Sequence, residues 1–187
     1  MFLQEREKMS AKRITLIALF VALLTVSAKI TIPMVPVPMT LQTAVVLFFA
    51  CYLGMIDSIV GVAVYIIMGL IGIPVFASGG GFAYAVKPSF GFTLGFLVSC
   101  VVCGLIYKKS GNLFRTIIAV LAGTIAVYII GIVYFLLLKA FYLGGAIDFW
   151  NVLLKFWIVF IPSDVLKGAL CVIALQRIAK LHTPSVS

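Results

Sequence analysis

Charged side chains are scarce in this sequence. Only 10% of its 187 residues are charged, 64% are hydrophobic, and the mean hydropathy is +1.29. Soluble domains are about half apolar and about a quarter charged, because polar side chains must cover their surface. The composition therefore excludes a soluble globular protein. It predicts an integral membrane protein with room for about six spans and short loops.

Motifs for catalysis are also missing. The chain has five acidic residues and one His, and it contains no HExxH or GxSxG. The stretch "GLIYKKSG" (104–111) lacks the second glycine that a P-loop places before its lysine. These absences exclude ATP hydrolysis by a P-loop and leave no nucleophile with its base. We predict no catalytic residues, no cofactor and no enzymatic activity.

The four cysteines do not form a recognisable metal or disulfide pattern. Cys51, Cys100, Cys103 and Cys171 all lie in apolar runs, and the single His182 lies in the polar C-terminal tail. A CxxC such as Cys100–Cys103 can indicate redox or metal chemistry. Spaced three residues apart in an apolar helix, these thiols are better explained as small apolar side chains. We therefore predict no metal site.

Six apolar segments predict an all-α, six-helix membrane bundle, with residues 1–187 forming a single domain. The expected helices are approximately 13–29, 40–56, 58–73, 90–107, 116–139 and 152–178. Three prolines make 29–39 an irregular Pro-rich linker, because each residue before a proline is pushed towards extended geometry. Residues 54–58 are expected to form a tight turn, and 74–89 form a long Gly-rich loop.

Lysine and arginine are unevenly divided between the two sets of span ends, and cytoplasmic loops are the ones enriched in them. The richer set is Arg6, Lys8, Lys12, Arg13, Lys108, Lys109, Arg115, Arg177 and Lys180, and the poorer set is Lys29, Lys87, Lys139 and Lys155. This bias predicts a multi-pass plasma-membrane protein with both termini in the cytoplasm. The basic residues are scattered between apolar runs, so the net charge of +9 does not indicate nucleic-acid binding.

Two charges interrupt the last apolar segment. Asp164 and Lys167 lie three residues apart and therefore share one helix face. Each would cost a few kcal/mol facing lipid, so they must point into the bundle or a hydrated cavity. Either they form a self-neutralising structural pair, or they bind a polar ligand.

The Gly-rich loop is a second candidate site. Gly79, Gly80 and Gly81 have no side chains, so their N–H groups can approach a ligand closely. Tyr84 adds aromatic surface and Lys87 adds a cation. The alternative is a flexible connector.

A third candidate lies at the start of the second helix. Thr40 and Gln42 are polar residues at the edge of an apolar run. Either Thr40 caps the helix and Gln42 is interfacial, or both form hydrogen bonds with a ligand near the outer mouth.

Small residues at helical spacing mark packing faces. Ala18 and Ala22 form an AxxxA, and Gly91 and Gly95 form a GxxxG. Packing inside the bundle is the default explanation for both. If such a patch faces outwards, it is instead a docking surface for a second membrane protein.

Taken together, four stretches resemble the BioY family: "IPMVPVPMTLQT" (32–43), "YIIMGLIGIPVFASGGG" (65–81), "KPSFGFTLGF" (87–96) and "FIPSDVLKGAL" (160–170). Their order and spacing match over about 20–180. BioY proteins are biotin-binding S components of energy-coupling-factor (ECF) transporters. The resemblance implies a six-helix fold, biotin bound near the extracellular side, and a transmembrane T component and two cytoplasmic ATPases as partners.

The resemblance also implies roles for residues. The family's Asp-x-x-Lys pair falls on Asp164 and Lys167, its Gly-rich loop on 78–81, and its Pro-Thr-x-Gln element on 38–42 with Met39 inserted before Thr40. Its T-component docking motif falls on Ala18 and Ala22. The run "PSFGF" (88–92) departs from the Pro-Thr-Gly-Gly-Tyr-like run of many members, and a tyrosine hydroxyl is missing there.

Biotin's chemistry suits these residues. Asp164 can accept hydrogen bonds from its ureido N–H groups, and either Lys167 or Lys87 can pair with its carboxylate. The rings that could cover its bicycle are Trp150, Trp157, Phe82 and Tyr84. The alternatives are an S component for another vitamin and a stand-alone, ion-coupled biotin transporter.

Overall fold

The computed structural model describes the backbone of residues 11–34, 37–108, 112–143 and 149–182, and side chains for the same residues except 143, 149–159 and 182. Over this part of the chain it contains six α-helices: α1 (Ala11–Lys29), α2 (Gln42–Leu53), α3 (Met55–Leu70), α4 (Pro88–Tyr107), α5 (Leu113–Leu138) and α6 (Phe149–His182). A π-helical turn, Lys139–Leu143, continues α5. The predicted six-helix, all-α fold is confirmed.

Helix boundaries differ most from the prediction around α2 and α3. These helices have only 12 and 16 residues, and Gly54 alone joins them, with a left-handed φ of 92°. The expected turn at 54–58 is wrong, because Asp57 and Ser58 already lie inside α3. Glycine adopts positive φ without steric cost, so one residue can reverse the chain here.

The Pro-rich linker is more ordered than predicted. Thr31–Ile32 (β1) and Met39–Thr40 (β2) form a short antiparallel pair, with Thr31 opposite Thr40. The pairing folds the linker back onto the bundle, so that the residue after β2, Leu41, leads directly into α2. Thr40 and Gln42 are thereby held at the mouth of the bundle.

The Gly-rich loop is anchored to the helices by an aromatic ring. Phe76 is fully buried. Its ring stacks on Tyr84 with centroids 4.2 Å apart and meets Tyr65 of α3 edge-on at 5.3 Å. The Gly81 N–H donates to the Gly69 carbonyl at 2.7 Å, and the φ of +100° at Gly81 favours glycine. Residues Phe82–Val86 then form a 3₁₀ turn, so the loop is a structured cover.

Helices α4 and α5 pack closely through small residues. A Cβ added at Gly91 would meet the Tyr134 side chain at 2.4 Å, and one at Gly95 would lie 2.9 Å from the Val127 backbone. The GxxxG of α4 therefore packs inside the bundle, as the default explanation predicted. Ala18 and Ala22 are different, because both are exposed on the outer face of α1.

The end of the bundle away from the linker and loop is tied by polar contacts. Arg13 at the start of α1 donates from Nε to Asp57 Oδ1 at 2.6 Å. Gln176 of α6 donates to the Thr116 hydroxyl of α5 at 2.9 Å. Among the described residues, three helical stretches are long and apolar enough to cross a membrane: Ala11–Lys29, Pro88–Tyr107 and Leu113–Tyr142.

We expect Gly95→Ala to lower stability by about 1–3 kcal/mol, because the added methyl group meets backbone that cannot move aside. Gly168→Ala is the matched control, since its Cβ would meet only Val120 Cγ1, at 3.4 Å. Thermal unfolding in detergent measures both. Equal melting temperatures for the two variants would contradict the close α4–α5 packing.

Candidate functional site

A cavity lies between the Pro-rich linker, the Gly-rich loop and helices α2, α4, α5 and α6. The space in it, open solvent at its mouth included, is about 540 Å³. Its lining brings together five residues predicted from sequence: Thr40, Gln42, Tyr84, Asp164 and Lys167. Three separate stretches of sequence therefore converge on one site.

The charged pair of α6 forms one wall of this cavity. Lys167 Nζ donates to Asp164 Oδ1 at 2.9 Å, and the Tyr128 hydroxyl of α5 donates to the other carboxylate oxygen, Oδ2. Lys167 is only 5% exposed. A buried ion without a partner is strongly destabilising. Here the two charges neutralise each other while both residues line the cavity.

The Asp164 carboxylate keeps capacity for a ligand. An ionised carboxylate offers about four acceptor positions, and Lys167 and Tyr128 supply one donor each. Hydrogen bonds to an ionised acceptor are about twice as strong as neutral ones. This wall of the cavity therefore suits a neutral ligand group that carries N–H donors.

The start of α2 contributes a second polar wall. The Thr40 hydroxyl donates to Gln42 Oε1 at 3.3 Å, and Gln42 Nε2 donates to the Tyr65 hydroxyl at 2.7 Å. Gln42 is buried, so it is not an interfacial side chain. Leu41 stands in the N-cap position of α2, but the Thr40 hydroxyl oxygen accepts from the Gln42 N–H at 3.4 Å. Thr40 therefore contacts the start of the helix as the capping alternative proposed, and it also lines the cavity.

Tyr84 brings the Gly-rich loop to the cavity. Its side chain is 3% exposed, and its hydroxyl accepts a hydrogen bond from Ser89 Oγ at 2.9 Å. Burial raises the pKa of Tyr84, so the phenol stays protonated at neutral pH. Its proton remains suitable for donation to a ligand acceptor.

The other predicted loop residues lie outside the cavity lining. Gly79 donates its N–H to the Phe76 carbonyl at 3.3 Å, and the Gly81 N–H is bonded to Gly69. Gly80 lies close to the Ile73 carbonyl, which leaves no room for a side chain. The structure therefore accounts for these glycines through the shape of the loop, and direct contact with a ligand stays a prediction.

Contact between Lys87 and a ligand also stays a prediction. It is exposed and donates from Nζ to the Ser78 hydroxyl at 3.2 Å. The same ammonium lies 5.3 Å from the centroid of the Tyr84 ring. Lys87 therefore stands beside the cavity residue Tyr84, and it is separate from the buried Asp164–Lys167 pair.

The apolar part of the cavity was missed by sequence reasoning. Phe92 and Phe96 of α4 and Phe160 of α6 line it, together with Tyr128. The Tyr128 ring meets Phe92 and Phe160 edge-on, at centroid distances of 6.1 and 6.4 Å. Phe92 occupies the position where the missing tyrosine hydroxyl was noted. A tyrosine in the middle of an apolar helix needs a hydrogen-bond partner, and that signal could have identified Tyr128.

The aromatic residues expected to cover a bicyclic ligand lie in different places. Tyr84 lines the cavity, whereas Phe82 is 80% exposed and lies outside the lining. The side chains of Trp150 and Trp157 lie outside the described residues.

The cysteines form no metal site in the part of the chain that the structure describes. All four are buried free thiols. Cys103 Sγ donates to the Ala119 carbonyl at 3.3 Å, which is a packing role inside α4 and α5.

Comparisons with known proteins identify the family of this chain. The model of the BioY family matches residues 4–183. A "probable biotin transporter BioY" from Pyrococcus horikoshii is 34% identical over 175 residues, which cover 91% of this chain and 98% of the relative. A relative of the same description from Lysinibacillus sphaericus is 30% identical over 177 residues, covering 94% and 90%.

A solved structure is similar over almost the whole fold. It is the crystal structure of the S-component for biotin from an ECF-type ABC transporter, with a TM-score of 0.76 and 28% identity. The match covers 96% of this chain and 95% of the other. Because the family model spans nearly the entire sequence, this chain belongs to the BioY family.

Proposed function

We propose that this chain binds biotin from the outer side of the membrane, as the S component of an ATP-driven ECF importer. The observation that carries the proposal is the cavity, in a BioY-family chain, whose wall holds the buried Asp164–Lys167 pair. Relatives described as biotin transporters, and the solved S-component for biotin, match over most of this chain. The protein therefore acts in transport and not in catalysis.

Each part of biotin has a counterpart in the site. The ureido N–H groups are donors for the Asp164 carboxylate, and the Tyr84 hydroxyl can donate to the ureido carbonyl. The fused apolar rings suit the aromatic wall of Phe92, Phe96 and Phe160. The carboxylate tail requires a cation, which either Lys167 or Lys87 supplies. The cavity thus combines a few directed polar groups with apolar surface, as small-molecule sites do.

The orientation in the membrane follows from charge and from the position of the cavity. The basic residues of the richer set that are described, among them Arg13, Lys108, Arg115 and Arg177, lie at the helix ends away from the linker and loop. Cytoplasmic ends carry this excess. We therefore place both termini in the cytoplasm of a prokaryotic cell, with the cavity facing outwards.

The partners in this proposal are a transmembrane T component and two cytoplasmic ATPases. The chain has no P-loop of its own, so an ATP-driven importer built on it needs ATPase subunits. Ala18 and Ala22 are exposed on α1, and small residues let a second helix approach closely. This supports α1 as the docking face for the T component.

We expect Asp164→Asn to weaken biotin binding by about 1.5–3 kcal/mol, roughly 10- to 150-fold, because a charged acceptor is lost. Isothermal titration calorimetry on protein purified from biotin-depleted cells measures the affinity. Asp57→Asn is the control, since Asp57 pairs with Arg13 at the other end of the bundle. Unchanged affinity in Asp164→Asn would remove this carboxylate from the binding site.

We expect Ala22→Leu to spare biotin affinity but to deplete the T component and ATPases that co-purify with the chain, because the larger side chain keeps the partner helix away. Ala169→Leu, at an exposed alanine of α6, should leave the complex intact. Quantitative gel analysis of the co-expressed complex compares them. A full complement of partners with Ala22→Leu would argue against docking on α1.

A further inference from the structure

Tyr65 lies behind the cavity and outside its lining. It is fully buried in α3. Its hydroxyl accepts from Gln42 Nε2 at 2.7 Å and donates to the Val75 carbonyl at 3.1 Å. The same oxygen therefore joins a residue that lines the cavity to the beginning of the Gly-rich loop.

The available protons fix which group donates and which accepts in the two hydrogen bonds that link Gln42, Tyr65 and Val75. A carbonyl oxygen can only accept, and a tyrosine hydroxyl has a single proton. The Tyr65 proton is therefore used on Val75, and its oxygen can only accept from Gln42. The Gln42 amide must turn its NH₂ group towards Tyr65. Its carbonyl oxygen then points to the Thr40 side, where the Thr40 hydroxyl donates to it at 3.3 Å.

We propose that Tyr65 is a positioning residue for ligand recognition, which holds Gln42 so that its carbonyl oxygen is turned to the Thr40 side of the cavity as an acceptor. This inference rests on the proposed function, since the ligand class it favours carries N–H donors, as the ureido ring of biotin does. The Gln42 carbonyl oxygen has two lone pairs, and Thr40 uses one of them. The second remains for a ligand N–H.

The reversed amide is strongly disfavoured. With Gln42 turned over, its carbonyl oxygen would face the Tyr65 oxygen, whose proton is already on Val75, and two buried acceptors would oppose each other. An unsatisfied buried polar group shifts such an equilibrium by a factor on the order of ten or more. Tyr65 therefore favours one of the two orientations of the Gln42 side-chain amide, which differ little in shape.

The Val75 carbonyl lies next to Phe76, which is anchored by its own contacts. Lys29 Nζ donates to the neighbouring Phe76 carbonyl at 2.7 Å. The Phe76 ring is buried against Tyr65 and Tyr84. The anchor that orders the Gly-rich loop is therefore the same anchor that orients Gln42.

A double-mutant cycle on biotin affinity tests the proposal. Tyr65→Phe should weaken biotin binding about tenfold, and Gln42→Ala should weaken it at least as much. Because Tyr65 acts through Gln42, the double variant should bind like Gln42→Ala alone, within about twofold. A purely structural role would instead make the two losses multiply, and that result, or unchanged affinity in Tyr65→Phe, would overturn the inference.

Tyr107→Phe is the matched control, because Tyr107 is also a buried tyrosine but lies outside the cavity lining. It should bind biotin as the unaltered protein does, and a tenfold loss there would overturn the assignment to Tyr65. Failure of the unaltered protein to bind biotin would instead overturn the proposed function, and the inference with it. If only the coupling between Tyr65 and Gln42 is absent, the inference is wrong and the proposed function is unaffected.

A second measurement does not depend on any variant. The chain has three glutamines, so selective labelling with ¹³C,¹⁵N-glutamine gives a simple NMR spectrum of the side-chain amides. Adding biotin should shift the Gln42 carbonyl carbon and leave its Nε2 resonance, which stays bonded to Tyr65, nearly unchanged. A shift at Nε2 with an unchanged carbonyl carbon would show that the amide presents its donor and would overturn the proposal.

Discussion

A largely buried carboxylate and a buried ammonium can persist inside a membrane helix only because each neutralises the other. Asp164 and Lys167 do so at 2.9 Å, and the Tyr128 hydroxyl binds the remaining carboxylate oxygen. The Tyr128 hydrogen bond joins α5 to α6, and both members of the pair line the cavity instead of facing lipid. The charged pair must avoid lipid, so it needs a cavity inside the bundle. That cavity in turn needs walls that exclude lipid.

The walls of the cavity differ in chemistry, since some are apolar and others carry hydrogen-bond acceptors. Phe92, Phe96 and Phe160 supply apolar surface, while Asp164 and the oriented Gln42 supply acceptors. The Gly-rich loop covers the mouth through the buried Phe76 and Tyr84 rings, and its first carbonyls also anchor Tyr65 and Lys29. The Gly-rich loop therefore supports both the shape of the cavity and the orientation of Gln42. The resulting cavity favours a ligand that carries N–H donors on an apolar ring system.

The sequence predicted those site residues that contrast with their surroundings. Asp164 and Lys167 interrupt an apolar helix, and Thr40 and Gln42 stand at the edge of another, so each was visible without coordinates. Phe96 and Phe160 were not, because a phenylalanine in an apolar helix looks like any other packing residue until tertiary structure shows what it faces. The loop glycines were visible, but their bonding to Gly69 and Phe76 depends on long-range packing. The boundary between α2 and α3 was misplaced because Gly54 alone joins them, with a positive φ.

The most direct test of this account is a structure of the protein with biotin bound. The account predicts a ureido nitrogen within hydrogen-bonding distance of the Asp164 carboxylate, with the bicyclic ring against Phe92, Phe96 and Phe160. Biotin found outside this cavity, or inside it with its ureido ring turned away from Asp164, would contradict the claim that the buried ion pair exists to bind the ligand.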